Sequence, residues 1–395
     1  MRDDSVTDFL STMSNMSRRT AKEYAIRLNS FKKFVLVHYG EQITIDNLIF
    51  KVKEGSENPC SVLNKYAAYI LNSNNVSNLT LKQWIVTVKN FLEYHDVDIS
   101  PRKFKMKVKL PKVVRKKKEA LSKEDVSDIL NTCSDIRLKT YVMVLAATGM
   151  RAVEALSVRI ADLDFQSNPP KLFVRGEFTK TRSDRTIFLT PELRYQLSSW
   201  INYKYRLRRV CYSYNGGKTF TEYRTPEKNE TDLVFSVYQS TKNPNPNNLY
   251  FDMSHSFAKT LDRMGKGTRE DGNNKRRKIT LHSFRRFVKT TISDLGYQDF
   301  SEYFIGHSGS TYWTKKESEK AEIFQKIEPY LTFLNVHQLE RQGADMQSKM
   351  EELEELNQSL RQSDKMKDDA LGQLSDQLMA LTVRLQEIER RQNIY

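Results

Sequence analysis

The sequence predicts a mainly α protein with a small β-hairpin, an α+β fold built in consecutive parts. Three features indicate it: long runs with helical spacing of apolar residues, two short apolar runs around a polar segment, and a leucine-rich acidic end. The predicted parts are a helical domain over residues 1–100, a basic linker over 101–120, a mixed domain over 121–335 and a coiled-coil tail over 336–395.

The first part is predicted to be a small all-helical domain. Residues 17–35 and 78–92 each place apolar side chains close to helical spacing, as an amphipathic helix does. Residues 62–71, between those two runs, indicate a further helix. No strand pattern interrupts the three runs, so the domain is expected to contain helices alone.

The linker is basic and is bracketed by Pro101 and Pro111. Its lysines alternate with apolar residues, among them Phe104 and Met106, a pattern that predicts an extended strap. Repulsion between like charges keeps such a segment open until phosphates neutralise it. A plain flexible linker is the alternative interpretation.

The mixed domain begins near Leu121 with a helix-start signature. Ser122 is followed three residues later by Asp125, which is the spacing of a capping box. A second, apolar helix over residues 141–147 is expected to end at Gly149, because glycine tolerates the left-handed backbone that terminates helices. Two helices therefore open this domain.

A β-hairpin with a long tip is predicted next. Residues 172–174 and 186–189 are short apolar runs, and residues 177–185 between them are polar. A helix capped by Thr190 follows, with Pro191 at its first position, and runs through Trp200. Helices return from residue 282 onward, and two polar, basic segments predict surface loops: 204–230 and 264–279.

The tail has the leucine pattern of a coiled coil. Apolar residues alternate three and four apart in a heptad seam, most regularly at Leu371, Leu374, Leu378, Leu381, Leu385 and Ile388. The step from Leu360 to Leu371 breaks heptad phase as a stutter does. We expect the tail to self-associate; a single helix packed on the body and a partly disordered acidic tail are the alternatives.

The formal net charge of +15 is unevenly distributed along the chain. After residue 335 there are eight basic and twelve acidic residues, so the tail carries −4 and the preceding residues carry +19. A body that basic predicts a polyanionic partner, with nucleic acid the leading candidate. A generally basic, solvated surface is the alternative.

Composition also excludes several classes of protein. No apolar run reaches the roughly 20 residues that a membrane helix needs, and the start of the chain lacks a signal-peptide pattern. Three cysteines, Cys60, Cys133 and Cys211, are too few and too far apart for a disulfide framework or a thiolate metal site. A reducing, intracellular compartment is therefore expected.

Six residues of the mixed domain carry the candidate chemistry. His282 and Arg285 share a helix face at i and i+3, so both can point at one ligand. Arginines clamp phosphates, histidines move protons and a phenol can attack phosphorus, which together indicate phosphoryl transfer. In chain order the set is Arg151, Lys180, His282, Arg285, His307 and Tyr312.

In this order the set resembles the active site of the tyrosine recombinases, the integrase family that includes Xer-type and phage integrases. The segment TGMRAVEAL at 148–156 is similar to the family's first-arginine box, and LHSFRRF at 281–287 to its second box. The resemblance covers residues 121–330, and the segment 305–331 is most similar to archaeal integrases. It implies a catalytic domain preceded by a helical core-binding domain that clamps DNA.

Chemistry and resemblance together assign the roles. Arg151 and Arg285 would hold the non-bridging oxygens of the scissile phosphate. Tyr312 would attack phosphorus and leave a 3′-phosphotyrosyl link, with His282 as the acceptor of its proton. Lys180, at the hairpin tip, would protonate the departing 5′ oxygen.

His307 would hydrogen-bond the phosphate or the surroundings of the nucleophile. Tyr312 lies five residues after His307, whereas the family usually places its tyrosine about nine residues after. The alternative nucleophiles and hairpin cations are Tyr303, Tyr330, Arg175 and Arg182.

The resemblance implies a site-specific recombinase or integrase that acts on double-stranded DNA as a tetramer in the prokaryotic cytoplasm, without metal, ATP or other cofactor. A type IB topoisomerase-like activity is one alternative. A catalytically inactive DNA-binding or DNA-bridging protein is the other, because of the short spacing before Tyr312. Further DNA contacts are expected from Lys107, Lys109, Lys112, Arg115, Lys116, Lys117, Arg182 and Arg286.

Overall fold

The computed structural model describes most of the chain and divides it into two compact units. One unit comprises residues 1–120 and 261–280, and the other comprises residues 121–260 and 281–395. The described residues are 4–73, 76–113, 120–179, 181–213, 219–237, 244–269, 276–307, 313–334, 353, 355–367, 369–371, 374, 375 and 378. None of the helices within these ranges is both long enough and apolar enough to cross a membrane.

The first unit is helical, as predicted. Serine and threonine side chains begin three of its helices: Ser17, Thr44 and Ser77 each accept a hydrogen bond from the backbone N–H three residues on. Aromatic rings fill the core, where Phe31 meets Tyr66 at 5.0 Å between ring centroids. The helices are α1 (Asp4–Met16), α2 (Arg18–Tyr39), α3 (Ile45–Lys53), α4 (Pro59–Ser73), α5 (Asn78–Tyr94) and α6 (Pro101–Lys107).

The expectation of an extended strap over the whole basic linker is wrong for its first third. Residues 101–107 form α6, with Pro101 at its first position. Proline fits there because that N–H would be unpaired anyway. The apolar residues also fit helical spacing: Phe104 is half-buried, Val108 is 6% exposed, and the Val108 N–H donates to the Phe104 carbonyl. Residues 108–113 are not helical.

The second unit is built around a buried central helix. In α8 every residue from Thr140 to Thr148 is buried, and the helix ends where predicted, at Gly149. The Ser122–Asp125 capping box and the Thr190 cap are also confirmed. The helices are α7 (Lys123–Thr132), α8 (Ile136–Thr148), α9 (Ala152–Leu156), α10 (Pro191–Lys204), α11 (Pro246–Arg263), α12 (Leu281–Asp294), α13 (Gln298–Ile305) and α14 (Glu317–Ile327).

A three-stranded antiparallel sheet lies in the same unit, and its second and third strands form the predicted hairpin. Lys171 pairs with Phe188 and Val174 with Arg185, which fixes the register. A 3₁₀ turn over Gly176–Phe178 begins the long connection between them. The strands, in sheet order, are β1 (Leu163–Asp164), β2 (Lys171–Val174) and β3 (Arg185–Phe188).

The expectation of surface loop throughout 204–230 is wrong. Strands β4 (Arg208–Ser213) and β5 (Thr219–Arg224) pair there as a second antiparallel hairpin. Both strands contain β-branched and aromatic residues, which favour strands even among basic neighbours. The net polarity of the segment obscured this local preference.

The tail is described only in part. Residues 355–367 are helical and solvent-exposed, and so are residues 353, 369–371, 374–375 and 378. The seam positions Leu381, Leu385 and Ile388 lie outside the described residues. The coiled coil therefore stays a prediction.

Candidate active site

The turn after α8 places Arg151. Gly149 ends the helix with φ +62°, and a Cβ at this position would lie 3.0 Å from Ile305 and 3.1 Å from Val288. Glycine is thus required both for the left-handed backbone and for the close approach of α12 and α13. Arg151 lies two residues after Gly149 and directly precedes α9. It is therefore close to the place where α12 and α13 approach the end of α8.

Glu154 joins two arginines. Its side chain is fully buried and accepts hydrogen bonds from Arg151 Nη1 at 2.6 Å and from Arg185 Nη2 at 2.8 Å. Burial alone would raise the pKa of Glu154, but the charge and hydrogen bond of Arg185, with those of Arg151, lower it overall. Glu154 is therefore ionised at neutral pH and holds both guanidinium groups in place.

Arg185 is a residue that the sequence pattern did not single out, because it ends a polar loop segment. It is 8% exposed and begins β3. A strand alternates its faces with period two, so Arg185 shares the inward face of buried Ile187. This period-two alternation is the sequence signal that could have identified Arg185 as a buried residue.

Arg285 ties two helix ends together from α12. Its Nη1 donates to the carbonyl oxygens of Gly149 at 2.9 Å and Ile305 at 2.5 Å. Desolvation, with the charge of Arg151, lowers the pKa of Arg285 to about 10, so it remains a cation at neutral pH. Its Nη2 is buried and has no hydrogen-bond partner among the described residues. Thus Nη1 holds the two helix ends, and Nη2 can donate a hydrogen bond to a ligand.

His282 lies one turn before Arg285 on α12. Desolvation lowers the pKa of His282, and the nearby charges of Arg285, Arg286 and Arg151, together with His307, lower it further. The hydrogen bonds of Arg285 to Gly149 and Ile305 bring it close to Arg151 and His307, each of which lies two residues further along the chain. Together with His282, four of the six predicted residues therefore lie in one region of the second unit. The imidazole of His282 is neutral at neutral pH and can accept a proton.

His307 is fixed by the end of α13. Gly306 takes the left-handed conformation, with φ +74°, and the His307 N–H donates to the Glu302 carbonyl at 2.9 Å. The Nδ1 atom of His307 pairs with the Glu302 carboxylate, which also pairs with Lys289. This carboxylate orients the ring.

The structure describes some of the other predicted residues but not all of them. Lys180 and Tyr312 lie outside the described residues, as do three of the linker cations, Arg115, Lys116 and Lys117. Arg182 is exposed near the hairpin tip, with φ +52°. Arg286 is half-buried, and its Nη2 donates to Ser283 Oγ at 3.0 Å.

The described part of the basic linker is held in a defined path by the first unit. The Asn64 amide donates to the Lys107 carbonyl at 2.8 Å and accepts from the Lys109 N–H at 3.3 Å. Asn78 donates to the Lys112 carbonyl at 2.9 Å. The side chains of the three lysines are exposed, so the backbone is fixed while the ammonium groups face solvent.

The chain is similar in sequence to known proteins. Residues 119–311 match the phage integrase family. Over 126 residues the chain is 32% identical to the tyrosine recombinase XerA of Saccharolobus solfataricus, covering 32% of this chain and 40% of that protein. Over 214 residues it is 25% identical to the tyrosine recombinase XerC of Chlamydia caviae, covering 50% of this chain and 66% of the relative.

Solved structures show the same fold. A lambda integrase dimer bound to a COC′ core site superposes with a TM-score of 0.51 at 11% identity, covering 80% of this chain and 98% of that one. The XerH recombinase in a post-cleavage complex with palindromic difH has a TM-score of 0.51 at 15% identity, covering 82% and 83%. Residues 119–311 therefore match the phage integrase family, and the chain is similar in sequence to tyrosine recombinases, archaeal XerA among them, and similar in fold to the lambda integrase and XerH structures.

Proposed function

We propose that this chain is a site-specific DNA recombinase of the integrase type, which cleaves and rejoins double-stranded DNA through a 3′-phosphotyrosyl intermediate. The observation that carries the proposal is the clustering of Arg151, His282, Arg285 and His307 in the second unit. The matching domain and the relatives named tyrosine recombinase support it.

In the proposed first step the Tyr312 oxygen attacks the scissile phosphorus. A bond forms between phosphorus and the phenolic oxygen, and the bond from phosphorus to the 5′ oxygen breaks. Arg151 and Arg285 neutralise the charge that builds on the non-bridging oxygens, which is the main requirement of phosphoryl transfer. The unpartnered Nη2 of Arg285 is a donor suited to that position.

Protons move through two further groups. Neutral His282 accepts the phenol proton, and Lys180 gives a proton to the departing 5′ oxygen. One phosphate ester bond, to the tyrosine, forms for the one phosphodiester bond that breaks. Attack by a 5′ hydroxyl from a second duplex therefore reverses the step without ATP or metal.

Covalent trapping tests the proposal. We expect a nicked suicide duplex carrying the target site to form a protein–DNA adduct with the unaltered chain and none with Tyr312→Phe. Tyr330→Phe is the matched control, because the same hydroxyl is removed from an exposed residue on the 3₁₀ turn after α14. Intact binding without any adduct in the unaltered chain would instead favour an inactive DNA-binding protein.

The fall in cleavage activity on the acidic side of the pH profile (its acidic limb) should follow the protonation of His282. Its pKa is lowered in the folded chain, so the neutral base persists until the pH falls below the ordinary histidine value of about 6.5. We expect kcat/KM for cleavage to fall only below that pH. Arg286→Gln removes one of the charges that depress the pKa and should move the limb to higher pH. A limb at or above pH 6.5 in the unaltered chain would exclude His282 as this base.

We also propose that the tail assembles copies of the chain, as a tetramer on DNA. Its described leucines are more than half exposed, with Leu353, Leu371 and Leu378 at about 60%, and apolar seams of this kind are stabilised by burial against a partner helix. Deleting residues 340–395 should spare cleavage and weaken assembly. Analytical ultracentrifugation with and without DNA checks this, and an unchanged sedimentation profile would contradict it.

A further inference from the structure

A cavity of about 350 Å³ lies beside His307, in the second unit, and the proposed reaction leaves it without a role. Its walls come from the β2–β3 connection, the end of α13 and the segment that leads into α14. The lining residues on which the inference depends are Arg185, Tyr303, Trp313, Lys315 and Lys320.

Arg185 brings unused hydrogen-bond donors to this cavity. One nitrogen, Nη2, is bonded to Glu154, while Nε and Nη1 are buried and have no hydrogen-bond partner among the described residues. The guanidinium packs on Gly306, where an added Cβ would lie 2.6 Å from Cζ. Buried N–H groups without partners are unfavourable, so a group that accepts from them would be stabilised here.

Lys320 is a second cation, held on an aromatic platform. Its Nζ lies 4.1 Å from the centre of the Tyr303 ring and 5.9 Å from that of Trp313. The platform is fixed, because Trp313 packs on Phe300 at 5.9 Å and the Tyr303 hydroxyl donates to the Thr186 carbonyl. No carboxylate within the described ranges forms an ion pair with Lys320.

Asp184 lines the cavity and Glu319 precedes Lys320 on α14, and both carboxylates have other partners. Asp184 accepts from the Gly176 N–H at 2.5 Å. Glu319 accepts from the Lys316 N–H at 2.8 Å and pairs with Lys315 at 3.4 Å. Neither carboxylate pairs with Lys320, and the charge of Arg185 is matched by Glu154, so the cavity offers an anion the charge of Lys320 and the remaining donors of Arg185.

We propose that this cavity binds a DNA backbone phosphodiester adjacent to the scissile phosphate. Lys320 supplies charge from the aromatic platform, and Arg185 supplies N–H donors from β3. The inference rests on the proposed function, since His307 lies both in the candidate active site and in the cavity wall. A bound phosphate here would fix the strand on one side of the cleavage point.

Single-phosphate neutralisation tests this. Duplexes that each carry one methylphosphonate are titrated with the full chain, with Lys320→Ala and with the matched control Lys326→Ala, an exposed lysine on the same helix. At one non-scissile position the neutral group should weaken binding by the unaltered chain about tenfold, the size of a lost charge-assisted contact. Lys320→Ala should bind that duplex and the unmodified duplex equally well, whereas Lys326→Ala should retain the full effect.

The assignment is overturned if no position is sensitive, or if Lys320→Ala leaves the effect at a sensitive position unchanged. Binding of inorganic phosphate that depends on Lys320, without any sensitive position in DNA, would assign the cavity to free phosphate and overturn it as well. Covalent trapping is measured on the same duplexes. Absence of adducts together with the position-specific effect would count against the proposed function alone and support this site.

Discussion

Replacing Arg285 with alanine is expected to slow DNA cleavage by about 100- to 1000-fold, the cost of removing one preorganised donor from a developing oxyanion. Its Nη2 is the donor that we assign to the phosphate, and Nη1 is engaged with the carbonyls of Gly149 and Ile305. Arg285→Lys should recover little, because an ammonium cannot hold both carbonyls and a phosphate in one planar geometry. Single-turnover cleavage at saturating DNA measures the effect.

The same change should also destabilise the fold, because two buried carbonyls lose their donor, at about 1–3 kcal/mol. Arg194→Ala, on the exposed face of α10, is the control and should alter neither the cleavage rate nor the free energy of unfolding. Thermal unfolding separates the two effects. If folded Arg285→Ala still cleaves within tenfold of the unaltered chain, Arg285 is not a phosphate ligand.

Replacing Glu154 with glutamine is expected to give the largest loss of stability, about 3–5 kcal/mol in the free energy of unfolding. Glutamine keeps the shape but leaves the charge of Arg185, whose side chain is 5% exposed, without its carboxylate. The partly exposed Arg151 contributes less, because water screens it. Denaturant unfolding at pH 7 measures the change.

Glu177→Gln is the matched control, since Glu177 pairs with Arg159 on the surface and such pairs contribute less than about 1 kcal/mol. The folded pKa of Glu154 lies below its ordinary value of 4.5, so its charge stabilises the fold above that pH. The contribution is lost as the pH falls through the folded pKa. Equal losses in the two variants would mean that the Glu154 pairs are no stronger than a surface pair.

Local structure was largely predictable because its causes are local. The Ser122–Asp125 box, the Thr190 cap and the Gly149 terminus each depend on residues within four positions, and all three form. The errors arose where a segment's overall charge concealed its local preference. Helix α6 lies in a basic segment that was expected to be an extended strap, and the β4–β5 hairpin lies in one that was expected to be a surface loop.

The candidate site was also predictable from the sequence only in part. The order of arginines and histidines in the chain was enough to single out Arg151, His282, Arg285 and His307 as one group. It could not indicate Arg185, which meets Glu154 across 31 positions of sequence. Lys320 was also missed, because its place beside Tyr303 and Trp313 depends on how α14 packs.

The amino-acid sequence by itself determined the helix starts and stops, the basic body and the residue types available for phosphoryl transfer. Only the tertiary structure decided which donors of those residues remain unpaired. In Arg285, Nη1 donates to the Gly149 carbonyl, 136 positions away, and Nη2 has no hydrogen-bond partner among the described residues. In Arg185, Nη2 donates to Glu154, and Nε and Nη1 have no such partner within the same ranges. The physical reason is range: caps and propensities act over one or two turns, whereas the pairing of a buried donor depends on which distant segments pack against it.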